Sequence, residues 1–234
     1  MDSAGRAAVG PDERKKWGGR IGLLGGTFDP VHNGHLRLAE QVLQTLKLDS
    51  ILFVPAARPP HKGHGAVASF EHRLAMVKIA VRANPKFFVS DIEGARSGPS
   101  YSIDTLKQLR GILDPEILPV FIIGMDAFVE LNSWKCWQEV LDCTDLAVVP
   151  RPDYPLAGIG RVIIGFGSYS LDPRLRCWVA SDRKGRIYPV DMTPVAISST
   201  EIRRRIASGL PVVDLVPGEV ADYIRTQHQY DDYY

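Results

Sequence analysis

Cysteine is scarce in this chain: Cys136, Cys143 and Cys177 are the three among 234 residues. They form no CxxC and leave an odd count, which argues against a disulfide framework or a zinc knuckle. No apolar stretch reaches the length of about 18 residues that a membrane-spanning helix needs. Residues 1–16 carry charge but lack the apolar run of a signal peptide. An excess of one charge is missing as well, with 28 Lys+Arg against 27 Asp+Glu and a net charge of +1. That balance lacks the basic bias of a dedicated nucleic-acid binder, yet leaves room for a small cationic pocket. Internal repeats and low-complexity segments are also absent. These features lead us to expect a soluble, cytoplasmic protein.

What is present is an alternation of apolar runs and helical patterns. Ile21-Gly22-Leu23-Leu24 reads as a buried strand running into a tight Gly25-Gly26 turn. Leu36, Leu38, Ala39, Val42, Leu43 and Leu46 recur at helical spacing over residues 34–47. Apolar runs at 51–55, 87–90, 118–124 and 145–150 read as further strands, and 187–190 as a last short one. Residues 70–83 and 102–113 read as helices, the first capped by Ser69. Residues 201–207 and 220–226 are expected to close the chain as helices. Strands alternating with helices imply an α/β fold, a parallel sheet covered on both faces. Residues 151–186 follow no regular pattern. We expect a mobile tail over 1–18, one domain over 19–229 and a short tail over 230–234.

The most informative stretch lies between the first strand and the first helix: Gly25-Gly26-Thr27-Phe28-Asp29-Pro30-Val31-His32-Asn33-Gly34-His35. Ligands of open parallel sheets bind at such junctions. Glycines allow close approach of the backbone to a phosphate, and the helix start behind them offers free N–H groups. His32 and His35, three residues apart, can face one bound group. The spacing fits neither the GxGxxG fingerprint nor a Walker P-loop. Asp29, His32 and His35 could in principle ligate zinc, but no further ligand cluster accompanies them.

This stretch resembles the HxGH signature of the nucleotidyltransferase superfamily, whose members share a Rossmann-like fold and transfer a nucleotidyl group from a nucleoside triphosphate. Ile197-Ser198-Ser199-Thr200-Glu201-Ile202-Arg203 resembles that superfamily's ISSTxIR segment. Pro59-Pro60-His61-Lys62, Ser100-Tyr101-Ser102-Ile103-Asp104-Thr105-Leu106 and Gly124-Met125-Asp126 followed by Trp134 resemble segments of the bacterial nicotinate mononucleotide adenylyltransferases. Arg151-Pro152-Asp153-Tyr154 matches their Arg-Pro-x-Tyr. The resemblance implies a doubly wound parallel sheet with a C-terminal helical extension.

It also implies a reaction: the phosphate of nicotinate mononucleotide attacks the α-phosphorus of ATP and releases pyrophosphate. His32, His35 and Arg203 are then the expected catalytic residues. ATP would be held by Gly25, Gly26, Thr27, Phe28, His32, Gly34, His35, Ile197, Ser198, Ser199, Thr200 and Arg203. The mononucleotide would be held by Lys62, Tyr101, Ser102, Asp104, Thr105, Asp126 and Trp134, with Trp134 stacking on the pyridine ring and Trp137 left to the core. Mg²⁺, bound mainly through ATP phosphates, is the expected cofactor. ATP and nicotinate mononucleotide are the expected partners, with a homo-oligomer allowed and neither nucleic acid nor membrane. Rival readings are an adenylyltransferase acting on nicotinamide mononucleotide or phosphopantetheine, an ATP-sensing module without turnover, and a nucleic-acid binder using Arg203-Arg204-Arg205.

Overall fold

The computed structural model describes residues 17–59 and 68–233. A sheet of eight strands forms the centre. In chain order they are β1 (Ile21–Gly26), β2 (Ser50–Pro55), β3 (Phe87–Val89), β4 (Val120–Gly124), β5 (Asp145–Val149), β6 (Tyr169–Asp172), β7 (Cys177–Ala180) and β8 (Ile187–Pro189). The helices are α1 (Asn33–Thr45), α2 (Phe70–Val81), α3 (Ser102–Arg110), α4 (Met125–Val129), α5 (Trp137–Cys143), α6 (Ile159–Ile164), α7 (Ser199–Ala207) and α8 (Gly218–Thr226). The spatial order is β3-β2-β1-β4-β5-β8-β7-β6. The first six are mutually parallel, whereas β7 runs antiparallel to both β8 and β6. The sheet is therefore mixed at one edge rather than parallel throughout.

Strand periodicity divides the core in two. Alternate residues face opposite sides of a strand. Ile51, Phe53, Val120, Ile122, Ala147 and Val149 pack in a cluster with Leu38 and Val42 of α1, Met76 and Val77 of α2, Ile202 of α7 and Val220 of α8. Leu52, Val54, Ile123, Leu146 and Val148 pack in the other with Ile103 and Leu106 of α3, Phe128 of α4, Val140 of α5 and Ile163 of α6. Helices thus cover both faces, and the strands are apolar on both, as a doubly wound sheet requires.

Several boundaries differ from the sequence expectation. Gly25 and Gly26 continue β1, opposite Val54 and Pro55 of β2, so the turn begins at Thr27. The helix expected to run to Leu113 ends at Arg110. The irregular stretch 151–186 contains α6 and the β6–β7 hairpin. Its turn is closed by Asp172, whose Oδ1 accepts the backbone N–H groups of Arg174 (2.9 Å) and Leu175 (3.1 Å).

Both expected tails are corrected where they are described. Trp17 is buried in the core cluster around Leu23 and Leu52, and its carbonyl accepts the Ser50 hydroxyl at 2.5 Å. Residues 1–16 lie outside the described residues. At the other end Tyr230 is buried among the residues of the α1–α2 cluster, so residues 230–233 are part of the folded domain. Apolar burial of a tyrosine with its hydroxyl paired outweighs the entropy of a loose end.

Candidate active site

The order β2-β1-β4 reverses the direction in which the chain adds strands, and ligands of open α/β sheets bind at the carboxyl ends beside such a reversal. The β1–β4 ladder stops at Leu24 opposite Ile122, before β1 itself ends at Gly26. A cleft opens there between two cavities.

The first cavity, of about 150 Å³, is lined by Leu23, Gly25, Gly26, Val54, Leu106, Leu109, Phe121 and Trp134, with Glu93, Ser100, Ser102 and Thr105 as its polar members. An apolar cavity of about that volume takes one benzene-sized ring. Trp134 stands edge-on to Phe121 with centroids 6.3 Å apart. Trp137 instead packs on Phe166 at 5.4 Å. Tyr101, Ser102 and Trp134 also line an adjoining cavity with Lys135. There Lys135 Nζ lies 4.6 Å from the Tyr101 ring centroid and 3.0 Å from Asp104 Oδ2.

The second cavity is lined by Asp126, Arg151, Tyr154, Ile197, Ser198, Glu201 and Arg205. Asp126 pairs with Arg151 here, at 3.7 Å. The structure therefore puts Asp126 beside the Ile197–Ser198 segment and away from the ring cavity, contrary to its expected grouping with Trp134. The cause is position: Asp126 follows β4 and Arg151 follows β5, and these strands are neighbours.

The histidines stand at the start of α1. His32 caps α1, and the His35 ring stacks on it with centroids 3.7 Å apart. His35 Nδ1 accepts the His32 backbone N–H at 3.2 Å. That bond places the proton of a neutral His35 ring on Nε2, which makes Nε2 a hydrogen-bond donor. Burial, reinforced by the Arg151 charge, pulls the His32 pKa down from 6.5 to about 4. His32 is thus neutral near pH 7, which lets the two rings stack without cationic repulsion. The two residues form the capping box of α1, in which the His32 side chain faces the His35 backbone N–H and the His35 side chain faces the His32 backbone N–H. Gly34 makes room for the His32 ring, since a Cβ there would sit 2.9 Å from His32 Nδ1.

The helix α7 end is tied to the same loop. Ser198 caps α7 by accepting the Glu201 N–H at 3.2 Å, and Ser199 Oγ donates to the Pro30 carbonyl at 3.0 Å. Arg203 follows one turn into α7. It is buried, donates to the Asp29 carbonyl at 2.6 Å and to Thr200 Oγ1 at 3.3 Å, and faces Asp29 Oδ2 at 3.9 Å. It therefore fixes the HxGH loop onto α7. Arg204 and Arg205 both pair with Glu201. Asp29 itself accepts Tyr230 O–H at 2.8 Å and Ala68 N–H at 3.2 Å. Among the described residues, Asp29, His32 and His35 belong to no group able to hold a metal ion. Lys62 lies outside the described residues.

Three contributors escaped the sequence reading. Arg73, 1% exposed, donates to the carbonyls of Thr27 and Ala56 (both 2.7 Å), Ala68 (3.1 Å) and Ala57 (3.3 Å), binding the loops after β1 and β2 together. The sequence signal for it is an arginine within the otherwise apolar face of α2. Glu93 accepts Thr105 O–H at 2.5 Å from the ring cavity wall. Tyr230 gives no signal in sequence, because its partner Asp29 is at the opposite end of the chain.

With this geometry in hand, the family follows. Residues 23–205 match the cytidylyltransferase-like family, and the chain belongs to it. Within that family it is 38% identical to a "probable nicotinate-nucleotide adenylyltransferase" of Symbiobacterium thermophilum over 211 residues, covering 90% of this chain and 95% of that one. A protein of the same name from Shewanella baltica is 41% identical over 215 residues, covering 90% and 99%. The fold matches Plasmodium falciparum nicotinic acid mononucleotide adenylyltransferase complexed with NaAD, with TM-score 0.67, 20% identity, and coverage of 91% and 97%.

Proposed function

We propose that this chain transfers the adenylyl group of ATP to nicotinate mononucleotide, forming nicotinate adenine dinucleotide and pyrophosphate in NAD biosynthesis. The observation that carries the reading is the ring-sized cavity bounded by the Gly25–Gly26 strand end and Trp134. It lies at the strand end that leads into the paired histidines. The names of the curated relatives point the same way.

The nucleophile needs no activation. A phosphate monoester has a second pKa near 6 and is mostly dianionic at neutral pH. The task is to hold two anions together and to neutralise charge that grows on the triphosphate. His35 Nε2–H, the backbone N–H groups of Thr27 and Phe28, and the hydroxyls at the α7 start supply that stabilisation. Arg203 and Arg73 hold the loop on which these donors sit. Trp134 covers the pyridine ring face, and Ser102 and Thr105 lie at the polar wall. Hydroxyls and imidazoles around the turn, rather than grouped carboxylates, suit a Mg²⁺ ion that arrives on the ATP phosphates and neutralises them.

The test is pyrophosphate release from Mg-ATP with nicotinate mononucleotide and nicotinamide mononucleotide in parallel. Strong release with the acid and little with the amide is expected. Equal release would remove the specificity, and none with either would overturn the assignment.

A further inference from the structure

Glu93 poses a problem for a cavity that takes an acidic ring. Its side chain is 8% exposed and it lines the ring cavity together with Ser102, Thr105 and Trp134. A buried carboxylate beside a second carboxylate is strongly disfavoured in a low-dielectric wall. The structure supplies a counter-charge. Arg96 Nη2 lies 3.6 Å from Glu93 Oε1 and donates to Thr105 Oγ1 at 2.6 Å. Thr105 Oγ1 donates in turn to Glu93 Oε1 at 2.5 Å. The three groups form a closed relay, and its net charge is zero. Arg96 does not itself line the cavity; it stands behind the wall and acts on it through Glu93 and Thr105.

We propose that the Glu93–Thr105–Arg96 relay sets the preference between acidic and neutral pyridine rings in this cavity. With Arg96 in place the wall is electrically neutral, so a ring carboxylate is accepted. Without Arg96 the wall is anionic, and it favours a ring whose carboxamide can donate to Glu93. With Glu93 neutralised the wall is cationic, and the acid preference grows. Ala57 N–H also approaches Glu93 Oε2, at 3.4 Å, so the loop after β2 feels the same charge. This inference rests on the adenylyltransferase reading and deepens it.

The experiment uses full-length Arg96→Met, Arg96→Lys and Glu93→Gln. For each, the dissociation constants of nicotinate and nicotinamide mononucleotide are read from tryptophan fluorescence, and kcat/KM from pyrophosphate release. Arg96→Met is expected to lower the acid-over-amide ratio by about 10- to 100-fold, the size of a like-charge juxtaposition. Glu93→Gln should raise it, and Arg96→Lys should restore much of it. Equal losses for both mononucleotides in all three variants would mean that the relay is only structural, and would overturn the proposal. If the unaltered protein turns over neither mononucleotide, the adenylyltransferase reading fails first, and the fluorescence ratios still judge the relay.

Discussion

Gly34→Ala is the smallest change that separates geometry from charge at this site. An added Cβ would meet His32 Nδ1 at 2.9 Å and His32 Cε1 at 3.0 Å, with Ile197 Cβ at 3.5 Å behind. The His32 ring must therefore retreat by roughly half an ångström to reach ordinary contact. It has little room to do so, because the His35 ring lies 3.7 Å away, centroid to centroid. Overpacking of this kind costs about 1–3 kcal/mol, while alanine in a helix regains about 0.5–1 kcal/mol over glycine. The net loss of stability should be only about 1–2 kcal/mol, leaving a folded protein. The histidines, however, shift as a pair, and a displacement near 1 Å at a reacting centre can cost about 100-fold. Half that displacement, on a linear free-energy scale, corresponds to about 10-fold, so we expect kcat for pyrophosphate release to fall about 10-fold, with a change in thermal midpoint of a few degrees. A kcat within threefold of the unaltered protein would refute the claim that ring placement, set by the absence of a Cβ, governs the rate.

Other changes probe single groups. His35→Ala should lower kcat by about 10²–10³, the cost of one transition-state donor, and an unchanged kcat would remove His35 from the chemistry. Trp134→Ala should chiefly raise KM for the mononucleotide, so a fall in kcat alone would place the ring elsewhere. Folded His32 stays neutral down to about pH 4, whereas the unfolded residue titrates near 6.5. The unfolded chain thus binds the extra proton, and stability should fall by up to about 3 kcal/mol as pH drops from 6.5 to 4. Urea unfolding at pH 7 and pH 4.5 checks this, and His32→Gln should show a shallower pH dependence. Tyr230→Phe removes a hydroxyl that burial and the Asp29 charge keep protonated. It should cost about 1.5–3 kcal/mol, the worth of one hydrogen bond to a charged group, measurable by the same unfolding.

The sequence was most informative where one strand and one turn carry the chemistry. The glycines, Asp29 and both histidines fall within one short stretch, so their grouping could be read before any fold was known. Ser102, Thr105 and Trp134 share the ring cavity although the stretch between them spans β4, and the family likeness of their segments made that grouping legible. The hairpin β6–β7 was not legible, because four-residue strands on an exposed edge bury too little to show a period. Its turn also uses Asp172 and a left-handed Arg176 in place of the glycine that marks most hairpins. The pairing of Asp126 with Arg151 was not legible, because a motif tells which residues matter without telling which neighbouring strand end they will meet.

Arg73, Glu93 and Tyr230 escaped the sequence reading for a common physical reason. Each is a polar group that becomes buried only because its partner comes from another part of the chain, and each is stable there only when paired. Arg73 gathers four carbonyls that follow β1 and β2, Tyr230 reaches Asp29 across the whole domain, and Glu93 needs both Thr105 and Arg96. A site whose histidine His32 is held neutral has little acid–base power of its own, so its catalysis depends on where these fixed donors sit. The same buried pairs that hold the loops therefore set the rate, and a substitution that leaves every charge in place but moves one loop should be as damaging as the loss of a donor.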